Sequence, residues 1–128
     1  MKMKDFLIKK SGYLSLLWMI LIFTASSIPS TTLPNNLPPD YISHFLEYFI
    51  FGFLLNTWIS TKVIKKKPTI AIILSMVICS LCGMMDEFYQ SLIPGRVCDP
   101  RDWVTDSIGG SIGAIFAFIY LGLYKNAR

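Results

Sequence analysis

"TIAIILSMVICSLCGMMDEFY", residues 69–89, decides the fold. From Thr69 to Met85 it carries no charge, and then Asp86 and Glu87 arrive side by side. A helix of about 20 mostly apolar residues suffices to cross a bilayer, and this stretch supplies one. An acid pair at the edge of such a span is expensive in lipid. Something elsewhere in the chain has to compensate for it.

Three further stretches qualify as spans: residues 12–28, 41–60 and 102–124. With 69–89 they predict an all-α integral membrane protein, a bundle of four transmembrane helices joined by short connections. The chain has 128 residues, room for one domain. It is 53% hydrophobic with a mean hydropathy of +0.52. Its formal net charge is +4 and its pI about 9.0, a basic balance that fits either nucleic acid or a membrane. The apolar excess decides for the lipid bilayer, and no basic patch interleaved with aromatics points to nucleic acid. Cys79, Cys82 and Cys98 are the three cysteines, an odd number that gives no disulfide framework. Cys79 and Cys82 lie inside an apolar helix and read as small packing residues.

Orientation follows from the lysines and arginines. Lys2, Lys4, Lys9 and Lys10 precede the first span, and Lys62, Lys65, Lys66 and Lys67 lie between the second and third. Lys125 and Arg128 follow the fourth. A four-span chain puts all of these on one side and only Arg96 and Arg101 on the other. Both termini are therefore expected in the cytoplasm. Residues 1–27 also resemble a signal peptide, with Ala25-x-Ser27 as a cleavage site. Because the rest of the chain is already polytopic, an uncleaved first span is the simpler reading.

With that topology Asp5 is cytoplasmic, while Asp40, Glu47, Asp86, Glu87, Asp99, Asp102 and Asp106 fall in the outer half or the outer loops. His44, Gln90, Arg96 and Arg101 join them. At a rise of about 1.5 Å per residue, His44 and Glu47 sit roughly 5 and 10 Å into the second span. Asp86 and Glu87 lie about one turn from the outer end of the third span, and Asp106 about one turn into the fourth. Ser26 and Ser27 reach the same level. His44 shares a helix face with Glu47, Gln90 with Asp86 and Glu87, and Asp102 with Asp106. Ionisable residues inside spans usually face a bundle interior or a watery cavity, so these faces are expected to meet in one pocket open to the outside.

Local roles account for several of these residues singly. Asp99 reads as a helix N-cap with Pro100 at the first helical position, and Asp102 then completes a capping-box-like arrangement. Asp40 reads as a cap for the second span, and His44 as a local hydrogen-bonder at a helix start. Asp86 or Glu87 can pair with Arg96. Two arginines cannot neutralise seven acids, however. Three compensations exist: protonation of some carboxyls, a divalent cation, or a cationic ligand group recognised from outside. The metal-ligand candidates are His44, Glu47, Asp86 and Glu87, since carboxylate oxygens suit hard cations and an imidazole admits zinc.

No nucleophile–base motif is legible: there is no G-x-S-x-G, no phosphate-cradling glycine loop and no H-E-x-x-H. Paired-carboxylate acid–base chemistry and metal-assisted hydrolysis stay open. Gly109 and Gly113 form G-x-x-x-G, read as intramolecular packing with a dimer face as the alternative. Pro94-Gly95 signals a turn, and Trp103 stands where an interfacial anchor belongs.

Four segments together carry a resemblance: "SSIPS" (26–30), "HFLEYFIFG" (44–52), "DEFYQSLIPGR" (86–96) and "DPRDWVTDSIGGSIG" (99–113). In this order they resemble the VanZ family of small bacterial membrane proteins, named for a teicoplanin-resistance protein. The resemblance implies a single four-helix domain over residues 1–128 in the bacterial cytoplasmic membrane, and low-level resistance to teicoplanin. His44, Glu47, Asp86, Glu87, Gln90, Arg96 and Asp102 occupy matching motif positions. The family pattern usually has Asn where this chain has Asp106.

Two function classes lead from these readings. The first is a membrane factor that alters how a glycopeptide, or the lipid-linked cell-wall precursor it meets, engages the outer surface. Its binding set is His44, Glu47, Asp86, Glu87, Gln90, Arg96, Asp102 and Asp106. The second is a membrane enzyme, metal-assisted, acting on an outer-leaflet lipid or lipid-linked envelope substrate. A transporter or ion-coupled channel ranks last, because the inner halves of the spans read as apolar.

Overall fold

The computed structural model describes residues 3–33 and 39–126. Four long helices carry it: α1 (Met3–Ser26), α2 (Asp40–Trp58), α3 (Pro68–Gln90) and α4 (Pro100–Asn126). A short 3-10 turn (Ser30–Thr32) follows α1, and α2 runs on through one π turn, Ile59–Val63. Among the described residues there is no strand. All four helices are long and apolar enough to cross a membrane, over Asp5–Ser26, Asp40–Val63, Pro68–Gln90 and Pro100–Leu123.

The first helix begins earlier than residue 12, because lysine is a good helix former and nothing ahead of Ser11 breaks the run. The fourth begins at Pro100 rather than 102. Proline at a first helical position lacks only an N–H that the helix leaves unpaired there, so Pro68 and Pro100 both open helices without loss. Asp99 caps α4 as expected: its Oδ1 accepts from the Arg101 N–H at 2.9 Å. Asp40 does not cap α2. Pro39 occupies that position without a side-chain hydrogen bond, and Asp40 is the first helical residue. The Pro94-Gly95 signal becomes a tight turn, closed by Arg96 N–H to the Ile93 carbonyl at 3.0 Å. Gly95 adopts φ 78° there, the left-handed value that glycine tolerates at no steric cost.

Helix α2 is the hub and packs most extensively on α4. The expected glycine pair lies along that seam. A Cβ on Gly109 would press on the Phe45 carbonyl, and one on Gly113 would collide with the Phe49 carbonyl. On the opposite side of the contact, Gly52 lies against the backbone of Gly110. In lipid, helices gain nothing by hiding apolar surface from water, so close backbone approach through small residues drives association. Cys79 acts in the same way, buried against Gly110.

The burial pattern is inverted relative to a water-soluble bundle. Leu16, Leu17, Ile20, Leu21, Ile73, Val77, Leu81, Ile115, Phe116 and Ile119 are exposed. Ser11, Ser15, Asn56, Thr57, Ser75, Asp86 and Asp106 are buried. Polar groups turn inward when the surrounding medium offers them no hydrogen bonds.

The half of the bundle toward the lysine-rich ends, expected from sequence to be the inner one, is not wholly apolar, contrary to the sequence reading. Asn56 is fully buried there and donates to the Ala114 carbonyl at 2.9 Å. Its Oδ1 accepts from Ser75 at 3.2 Å and Ser60 at 3.3 Å, tying α2 to α3 and α4.

Candidate functional site: a buried histidine among carboxylates

His44 lies one turn into α2, Glu87 in the last turn of α3, and Asp102 and Asp106 in the first two turns of α4. The packing of α2 and α3 on α4 brings all four together. His44 Nδ1 is 2.9 Å from Asp106 Oδ1 and 4.0 Å from Glu87 Oε1, while Nε2 is 3.9 Å from Asp102 Oδ2. His44 therefore does not bond locally at its helix start; its partner is 62 residues away in sequence. The side chains of His44, Glu87 and Asp106 are 7%, 3% and 0% exposed, and that of Asp102 is 17%. Asp102 stands where the cluster reaches the surface.

The carboxylates are held by groups on neighbouring helices. Glu87 Oε2 accepts the backbone N–H of Asp99 at 2.9 Å. A capping box would have given that N–H to Asp102. Instead Glu87 takes it across from α3, and Asp102 turns toward His44. Asp106 fits because Gly83 faces it: a Cβ on Gly83 would come 2.8 Å from the Asp106 Cβ and 3.0 Å from its Oδ2. Two oxygens of this cluster, Glu87 Oε1 and Asp106 Oδ2, are buried without a hydrogen-bond partner among the described residues.

The remaining predicted residues form a second arrangement toward α1. Gln90 donates to Asp86 Oδ2 at 3.2 Å and to Ser26 Oγ at 3.3 Å. Asp86 is 1% exposed, and its Oδ1 has no hydrogen-bond partner among the described residues. Arg96 makes no salt bridge with a described carboxylate. Its guanidinium donates to the backbone carbonyls of Ile28 at 3.1 Å and Ala25 at 3.5 Å, at and just beyond the C-terminal end of α1. Ser27 and the Tyr89 hydroxyl are 2.8 Å apart, and Ser30 donates to the Gly95 carbonyl. The "SSIPS" and "DEFYQSLIPGR" segments are thus two halves of one clasp. Glu47 is half-buried; its backbone carbonyl accepts from Trp18 Nε1 at 2.8 Å, and no hydrogen bond or salt bridge joins its carboxylate to a described residue. Trp103, read as standing where an interfacial anchor belongs, also donates to the Ser80 carbonyl at 3.0 Å and so ties α4 to α3.

Sequence reasoning missed Tyr48. It lies one turn below His44 on α2, is 0% exposed, and its hydroxyl has no hydrogen-bond partner among the described residues. The i, i+4 spacing from His44 was the available signal.

A family model described as VanZ/LLP1 matches residues 12–121. The chain belongs to the VanZ/LLP1 family. The match covers His44, Glu87, Asp102 and Asp106 and reaches into all four helices. Family and helices together make it a VanZ-like multi-pass membrane protein. No curated protein and no solved structure matches the chain.

An imidazole flanked by a carboxylate at each nitrogen is held in one orientation and can pass a proton between its two sides. Three carboxylates around one imidazole also form an acceptor-rich cage. It can take a divalent cation or a cationic group.

Proposed function

We propose that this VanZ/LLP1 protein works at the outer face of the bacterial cytoplasmic membrane, where it lowers the action of the glycopeptide teicoplanin to a small degree through the His44 centre. The observation that carries the reading is the His44–Asp106 pair at 2.9 Å, buried with Glu87 beside it in a bundle whose outer surface is apolar. Ionisable groups placed at such cost inside a membrane bundle mark function by default. The lysines flank the opposite ends of the helices, and by the positive-inside rule this supports an outward-facing centre. Glycopeptides and the precursors they bind meet on that side.

The test is paired susceptibility to teicoplanin and vancomycin in a susceptible Gram-positive host, with wild type and Glu87→Gln at matched membrane levels. Wild type is expected to raise the teicoplanin threshold about twofold to fourfold, on the order of 0.4 to 0.8 kcal/mol in effective affinity, and Glu87→Gln to abolish the rise. An equal shift for both antibiotics, or for unrelated ones, contradicts the reading.

A second reading is favoured by the geometry of His44 itself. An oriented imidazole with carboxylates on both sides is suited to general acid–base work on an outer-leaflet lipid or a lipid-linked envelope substrate. This enzyme reading predicts that expression changes the membrane lipid or precursor profile and that His44→Gln does not. An unchanged profile with wild type counts against it.

A further inference from the structure

We propose that the His44 centre is a divalent metal site, with His44 Nδ1, Glu87 Oε1 and an Asp106 oxygen as ligands and Asp102 as the group that orients the imidazole. The proposal deepens the functional reading above and rests on the same cluster.

The argument starts from hydrogen-bond capacity. Even as an imidazolium, His44 has two N–H groups. One is spent on Asp106 Oδ1 at 2.9 Å, and the other points to Asp102 at 3.9 Å. His44 has nothing left for Glu87 Oε1 or Asp106 Oδ2, which are buried and have no hydrogen-bond partner among the described residues. Buried carboxylate oxygens without donors are rare because each costs its full desolvation. Arg96, the partner the sequence offered for Asp86 or Glu87, is engaged by the backbone carbonyls of Ile28 and Ala25 instead. Asp99 supplies one backbone N–H, and it goes to the other Glu87 oxygen. A cation between the three side chains satisfies what hydrogen bonds leave open.

The dimensions agree. One ligand atom from each of His44, Glu87 and Asp106 lies within 4.8 Å of the others. Bond lengths of about 2.0–2.2 Å in a tetrahedral site put ligand atoms about 3.3 Å apart. The Nδ1 distances to Asp106 and Glu87, 2.9 and 4.0 Å, bracket that spacing. Once Nδ1 binds the cation, the ring's remaining proton sits on Nε2, which faces the Asp102 carboxylate. Ligating histidines commonly donate their other N–H to a carboxylate in this way. Gly83 completes the cage, since any side chain there would push Asp106 out of place. Asp102 is the member that reaches the surface, and it marks the way in. A single imidazole with carboxylate oxygens suits zinc or manganese rather than a soft, thiolate-seeking ion.

Of the candidates named from sequence, His44 and Glu87 belong to this set. Asp86 is drawn aside by Gln90 and Ser26, and Glu47 lies outside the grouped ligand atoms.

The experiment uses the full chain purified in detergent, stripped with a chelator and reloaded with Zn2+ or Mn2+, with bound metal counted by elemental analysis. Wild type is expected to hold about one ion per chain. The Cys82→Ser, Cys98→Ser double variant should hold the same, which excludes adventitious thiol binding. Glu87→Gln, close to isosteric, should bind at least tenfold more weakly, and Asp102→Asn about 10- to 100-fold more weakly. Circular dichroism and monodisperse elution establish that each variant is folded. Wild type that takes up neither ion overturns the proposal, as does equal retention by wild type, Glu87→Gln and Asp102→Asn. Because metal is counted directly, the two readings fail separately. A metal-free protein that still raises the teicoplanin threshold removes only the metal. A metal-loaded protein without effect on either antibiotic removes only the resistance reading.

Discussion

Asp99 shows how a residue with a complete local explanation also serves the site. Its side chain caps α4, while its backbone N–H fixes Glu87. Sequence spacing revealed the cap, because capping depends on neighbours in the chain. It could not reveal the second bond, because that depends on where α3 ends relative to α4. The same limit explains why the acids could be sorted by depth but not paired. Asp86 and Glu87 are adjacent, yet one turns to Gln90 and Ser26 and the other to His44 and Asp99. Gly83 gives a sharp test at this scale. Gly83→Ala brings a methyl to 2.8 Å from the Asp106 Cβ, and overpacking of this kind costs about 1–3 kcal/mol. Gly122 has nothing within 4 Å of its own added methyl. Thermal unfolding in detergent should therefore show a lowered midpoint for Gly83→Ala and an unchanged or raised one for Gly122→Ala. Equal midpoints would mean that Asp106 has room to move and is not held by the α3–α4 contact.

At the scale of elements, four helices were legible because each is an apolar run of sufficient length, and length is a property of the chain alone. The first turns were legible only where a cap marked them: α4 starts after Asp99 as its capping pattern indicated, whereas α1 starts ahead of its apolar run. The glycine pair of α4 was correctly read as an intramolecular seam, since Gly109 and Gly113 meet the carbonyls of Phe45 and Phe49 on α2. The Asn56 node escaped notice. A single amide inside an otherwise apolar run gives little signal, and its partners lie on two other helices. Asn56 takes part in three side-chain hydrogen bonds. Asn56→Leu should cost about 1–2 kcal/mol, the small net value expected when membrane helices can find other partners. Denaturant unfolding in mixed micelles measures it. Because the node sits away from His44, metal content per folded chain should not change. A loss of metal with Asn56→Leu would show that the two polar layers are coupled through α2.

The whole molecule is a bundle with an apolar exterior, an uncharged polar layer at one level and a charged one near the end that carries the loop after α3. The lysines and every acid but Asp5 separate to opposite ends, and this separation, visible in the sequence, is the basis for placing the His44 centre outside. Every functional statement above depends on that side. Cys98 offers a native reporter. It is exposed in the connection between α3 and α4, at the same end as Glu87 and Asp102, while Cys79 is buried and Cys82 half-buried inside the bundle. The most direct measurement is labelling of intact cells with a membrane-impermeant maleimide, compared with permeabilised cells and with Cys98→Ser. The account predicts that intact cells label at Cys98 as fully as permeabilised ones and that Cys98→Ser abolishes the signal. Labelling of Cys98 only after permeabilisation would place the His44 centre in the cytoplasm and contradict an outward-facing site.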